Sequence, residues 1–242
     1  CSSLAQVTMN QFPYEYSASF AEKMDANDPL AHFRGKFHFP KVNGNEALYF
    51  CGNSLGLQPI ATEAYLKREL THWADKAVDG HFHGEEAWYG IRKKSKPTLA
   101  QILGAKEGEV VAMNNLSVNL HLLMVSFYRP TSSRYKILVE AGAFPSDQYM
   151  LETQLKYHGL NPSDALVEIH PREGEYTLRT EDIEAEIQRQ GDALAMVNMS
   201  GIQYYTGQFF DIQRITQAAH GVGAVAGFDL AHAAGNVPMK LH

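Results

Sequence analysis

The chain has 242 residues, 45% of them apolar and 20% charged, a balance that excludes a disordered tail and leaves enough apolar material for one large core or two small ones. With 21 basic residues against 27 acidic ones the net charge is -6, and no Lys/Arg block stands out, so nothing suggests nucleic acid or an anionic surface as partner. Two cysteines, Cys1 and Cys51, are too few for a disulfide framework, and no apolar run approaches the roughly 18 residues that a membrane span needs.

The start, CSSLAQVTMN, has no basic region followed by an apolar stretch, which leaves the cytoplasm as the expected compartment. An N-terminal Cys1 suits a processed lipoprotein, but trimming explains it with fewer assumptions. Residues 1–44 are polar with scattered aromatics and read as an arm, and 45–242 as one domain. An amphipathic helix is predicted over 60–78, with Ala61, Tyr65, Leu66, Leu70 and Trp73 at helical spacing, and a second over 97–103. Short apolar runs then predict strands at 110–113, 135–139, 165–169, 193–197 and 224–228. Helices are predicted between them at 118–127, 146–157, 181–189 and 212–220, the third capped by Thr180 with Ile183 and Ile187 on one face.

Alternation of apolar strands with helices predicts an α/β fold, a mostly parallel sheet covered by helices on both faces. Such sheets bind ligands beyond the carboxyl ends of their strands, so the residues at those exits carry the chemical reading. Asp229, in GFDLAHAAGN, ends a buried strand, where a carboxylate needs a cation or donors; a protonated pyridine nitrogen fits, and a cap on the next turn is the plainer use. Leu116 and Ser117 open a helix, whose free N–H groups suit an anion. Phe144, in EAGAFPSDQY, offers a ring for stacking, or simply fills a core. Ser200 offers a hydroxyl or a turn residue. An anion site, a stacking ring and a carboxylate together suit a planar phosphorylated pyridine.

The stretches YFCGNSLGLQP, GHFHGEEAW, NNLSVNLHLLM, RYKILVEAGAFPSDQY, HPREGEYTLRTEDIE, SGIQYYTGQFFDI and GFDLAHAAGNV make the chain resemble the kynureninase family of pyridoxal phosphate enzymes. The resemblance implies the large cofactor domain of a fold-type-I enzyme, with pyridoxal 5'-phosphate as cofactor. It implies hydrolysis of L-kynurenine or 3-hydroxy-L-kynurenine to an anthranilate and L-alanine, in tryptophan catabolism and NAD precursor synthesis. By position it assigns Leu116 and Ser117 to the phosphate, Phe144 to stacking, Asp147 to the same loop, and Ser200 to a further cofactor contact. It also gives Asp229 to the ring nitrogen, His232 to the pocket wall, and Ser54 and His81 to the substrate.

The same resemblance places the Schiff-base lysine beyond the stretch present here. Lys240, in PMKLH, does not resemble that site, so 45–242 reads as a cofactor domain truncated before the lysine, without a catalytic residue of its own. Activity then requires a C-terminal part, possibly a separate chain, and the family's habit implies a homodimer. His81 and His83 form a His-x-His pair with no obvious third ligand, so no metal is expected.

Two rival functions have sequence support. Gly52-Asn53-Ser54-Leu55-Gly56 satisfies the G-x-S-x-G pattern, and a serine hydrolase could order Ser54, Asp229 and His232. That reading needs strands before Ser54 and an oxyanion loop, and sets its acid and base unusually close. A non-catalytic relative that binds phosphate-bearing ligands is the other. GVGAVAG, over 221–227, precedes its strand instead of following one and is not a dinucleotide fingerprint.

Overall fold

A computed structural model describes residues 14–242; Cys1 and the first part of the predicted arm lie outside the described residues. Two compact units divide between Gly80 and His81.

In the first unit, α1 (Ala18–Asn27) is capped by Ser17, whose hydroxyl accepts the Phe20 N–H at 3.2 Å. The strands β1 (Lys41–Val42) and β2 (Asn45–Glu46) form an antiparallel hairpin. Its turn is Asn43-Gly44, both at positive φ, and these are the residues that accept such a turn at least cost. The helix predicted over 60–78 is present as α2 (Thr62–Lys76), yet none of its residues is buried: Tyr65, Leu66, Leu70 and Trp73 are all exposed.

The second unit begins with α3 (Ile91–Leu103), which starts before its predicted limit and carries Pro97 inside it, ending on Gly104 in the left-handed conformation. Then come α4 (Leu116–Phe127), β3 (Lys136–Glu140), α5 (Pro145–Tyr157), the single turn α6 (Pro162–Ala165), β4 (Leu166–Ile169), α7 (Thr180–Gln190), β5 (Leu194–Ser200), α8 (Ile212–Gly221) and β6 (Val225–Asp229). The sheet order is β4-β3-β5-β6, and every pairing is parallel.

Successive strand residues face opposite ways, so each strand feeds two cores. Leu138, Val197 and Met199 pack with Ile183 and Ile187 of α7 and Ile215 and Ala219 of α8. Ile137, Val139 and Met196 pack with Leu120 and Met124 of α4 and Met150, Leu151 and Leu155 of α5. Burial on both faces explains why these strands are apolar runs and not alternating ones.

Two expectations fail. The strand predicted at 110–113 does not form; Val110 is buried, but Val111 and Met113 are exposed and no partner strand lies beside them among the described residues. An apolar run becomes a strand only where a neighbour takes its backbone hydrogen bonds. Thr180 is the first helical residue of α7 and not its cap; Arg179 holds the cap position without a side-chain bond.

Candidate functional site

The carboxyl ends of β3, β5 and β6 and the amino ends of α4 and α5 carry most of the polar residues singled out from the sequence. Asn115 caps α4, its side-chain oxygen accepting the Val118 N–H at 3.0 Å. The N–H groups of Leu116 and Ser117 have no acceptor among the described residues, and Ser117 is exposed. With Asn115 as the cap, the first two N–H groups of the helix stay available to an anion.

Phe144 sits at the cap position of α5, where Pro145, lacking an N–H, opens the helix without losing a bond. Its ring is 43% exposed and meets Tyr204 edge-on, centroids 5.1 Å apart at 85°. An edge contact holds the ring while leaving a face available for stacking. Gln203 ties the two loops together: its Nε2 donates to the Gly142 carbonyl at 2.9 Å, and its Oε1 accepts the N–H groups of Tyr205 and Thr206 at 2.6 and 2.9 Å. Gly201 makes room at the exit of β5, where a Cβ would lie 2.8 Å from Leu230 Cδ2 and 3.0 Å from Ala233 Cβ.

Three acids are buried here: Glu140, Asp147 and Asp229. Of the two tasks considered for Asp229, the structure shows the cap. One oxygen, Oδ1, caps the following turn by accepting the Ala231 N–H at 2.8 Å, and the carboxyl also shares a hydrogen bond with Asp147. Burial, followed by the charge of Asp229 and that hydrogen bond, pushes the Asp147 carboxyl up to about 7. Burial likewise raises Glu140, against the lowering effect of its bonds from Ser200. None of the three is in an ion pair among the described residues.

Buried carboxylates without a counter-ion are costly, which is the cause of the upward shifts of Asp147 and Glu140. A cationic N–H donor placed against it would supply the missing charge. The donor set therefore fits a protonated ring nitrogen, with an anion site and a stacking ring on neighbouring elements.

The other expected residues lie elsewhere or less deep. His232 follows in the turn after β6, half-buried, its carbonyl accepting the Asn236 side-chain N–H at 2.9 Å. His81 is exposed at the start of the second unit and packs edge-on against Trp88, centroids 5.3 Å apart. Ser54 belongs to the first unit, exposed in a turn whose N–H donates to the Cys51 carbonyl at 3.0 Å. No strand leads into Ser54 and no helix starts from it, so the strand-turn-helix elbow that a serine hydrolase requires is absent at this position. GVGAVAG runs from the end of α8 into the first residues of β6, so it does not follow a strand as a dinucleotide fingerprint would.

Sequence reasoning missed Glu140, Gln203 and Tyr204. The signal for Glu140 was available, since an acid closing the apolar run KILV cannot lie in a two-sided core without partners.

No protein-family profile matches the chain. Among curated proteins it is 51% identical over 228 residues to a kynureninase of Christiangramia forsetii, covering 94% of this chain and 54% of that protein. The kynureninase of Myxococcus xanthus is 52% identical over 230 residues (95% and 54%), and that of Nematostella vectensis 49% over 238 (93% and 51%). Among solved structures, a C-DES mutant with glycine covalently linked to its PLP cofactor aligns with a TM-score of 0.66 at 13% identity, covering 88% of this chain and 52% of that one. Apo cysteine desulfurase from Thermococcus onnurineus NA1 aligns at 0.60 and 19% identity, covering 88% and 50%. These likenesses carry the fold, the parallel α/β sheet of fold-type-I pyridoxal phosphate enzymes. The chain is thus about half identical to kynureninases across nearly all of its own residues, and it spans about half the length of the curated relatives it matches.

Proposed function

We propose that the protein hydrolyses L-kynurenine or 3-hydroxy-L-kynurenine to an anthranilate and L-alanine with pyridoxal 5'-phosphate. In this reading 45–242 belong to the large cofactor domain, and the rest of the family's length supplies the Schiff-base lysine. The observation that carries it is the pair of buried carboxyl groups Asp147 and Asp229 at the carboxyl end of the sheet, without an ion-pair partner among the described residues, in a chain about half identical to kynureninases. Resemblance further supports a homodimer active in tryptophan catabolism, and the low cysteine count supports the cytoplasm.

When bound, pyridoxal phosphate supplies an electron-withdrawing ring that accepts the electron pair left at the substrate's α-carbon. Asp229 holds the positive charge on the ring nitrogen. The N–H groups of Leu116 and Ser117 hold the phosphate, and Phe144 stacks on the ring. Ser200 and His232 line the same end. Ser54 and His81 are substrate contacts by their places in the resemblance, there to orient the ketone beside the bond that breaks.

The complete protein, loaded with pyridoxal phosphate and given either kynurenine, should release alanine and the matching anthranilate in equal amounts, measured by chromatography. Failure to cleave both substrates would overturn the proposal. His81→Ala is expected to change the ratio of kcat/KM between the two substrates by about tenfold, the scale at which one contact discriminates. A uniform loss on both would remove His81 from the substrate pocket.

A further inference from the structure

Glu140 is the member of the acid cluster for which the proposed chemistry has no task. It closes β3 directly after the buried Ile137, Leu138 and Val139, and is 2% exposed. A carboxyl group so placed is determined by what it touches. Both of its oxygens face the Ser200 N–H, at 3.1 and 3.3 Å, and Oε1 also takes the Ser200 hydroxyl.

The strand register explains the contact. Pairing of β3 with β5 runs only as far as Leu138 and Val197, so the carboxylate takes up the Ser200 N–H where the ladder has ended. On its other side Ser200 is in register with Asp229, and the Gly201 N–H donates to the Asp229 carbonyl at 2.7 Å. Ser200 is thus fixed from both neighbouring strands. A serine hydroxyl has one donor and two acceptor directions about a freely turning bond. Engagement by Glu140 uses one of them and stops the rotation.

We propose that Glu140 is a positioning residue that fixes the Ser200 hydroxyl, and with it the carboxyl end of β5, in the orientation the cofactor site uses. The inference rests on the reading of this site as a pyridoxal phosphate cradle. A capping and space-filling role alone would need only a group of the same shape, and the amide of Glu140→Gln has that shape without the charge.

The test uses the complete protein, freed of cofactor and titrated with pyridoxal phosphate. Glu140→Gln is expected to melt, as apoprotein, within about 2 °C of the parent. It should bind the cofactor about tenfold more weakly, with a shifted absorbance maximum. Ser200→Ala should do the same, and the double variant should be no worse than either, the signature of two residues acting as one unit. Unchanged affinity in Glu140→Gln, or a double-variant loss equal to the product of the single losses, would overturn the proposal. Should Glu140→Gln fail to fold, Ser200→Ala decides: a tenfold loss with the band shift supports it and parental affinity overturns it. A parent that binds no pyridoxal phosphate would instead remove the cradle reading, and this inference with it.

Discussion

Asp229→Ala in the complete protein should lower kcat on L-kynurenine by about two to three orders of magnitude. Asp229 is buried at the end of β6, and among the described residues its surroundings hold no Lys, Arg or His in ion-pair contact. Under the proposed function its partner is the ring nitrogen, and removing one member of a buried charged pair costs about 3–5 kcal/mol. If most of that appears in the barrier, each 1.36 kcal/mol is a factor of ten. The carboxylate matters most when electron density moves into the ring, so the loss falls on kcat more than on KM. Asp229→Ala also removes the cap on the Ala231 N–H, a contribution of about 1 kcal/mol to folding that a melting curve separates from the catalytic loss. A variant retaining kcat within tenfold of the parent would show that Asp229 is only a cap.

Asp147 is expected to control the pH dependence of stability in the apoprotein. Its carboxyl is raised from the ordinary 3.8 to about 7, first by burial and then by Asp229. Below pH 4 the folded and unfolded chains both carry the proton. Between 4 and 7 the unfolded chain releases it while the folded one keeps it, so folding loses stability as pH rises, and the loss levels off above 7. Melting temperature should therefore fall from pH 5 to pH 8, by about 5 °C on the usual scale for a protein of this size. In Asp147→Asn most of that fall disappears, and the variant is the more stable one at pH 8. Glu140, also raised by burial, leaves a slope of the same sign. A cationic ring bound to the cluster relieves the penalty, so loading with cofactor should flatten the profile of the parent. An unchanged slope in Asp147→Asn would contradict the assignment.

The fold was largely legible because two-sided burial writes itself into strands as unbroken apolar runs. The runs at 135–139, 165–169, 193–197 and 224–228 became β3, β4, β5 and β6 with small shifts at their ends. β5 runs three residues past the predicted limit because Asn198 interrupts the apolar pattern while the backbone pairing with β6 continues to Ser200. The hairpin around Asn43-Gly44 was missed although Asn-Gly is a strong turn signal, because two-residue strands leave no periodicity to detect. The run at 110–113 shows the converse, apolar residues without a strand to pair with.

By itself the sequence determined the resemblance to kynureninases, the parallel α/β architecture, and which residues stand at strand exits: Phe144, Ser200 and Asp229. It could do so because local pattern and motif order survive without coordinates. Only the tertiary structure decided how those residues act on one another. The burial of Asp147 beside Asp229 and the grip of Glu140 on Ser200 join positions whose meeting depends on strand order and register. The last of these spans sixty residues of chain and closes because β3 and β5 lie side by side.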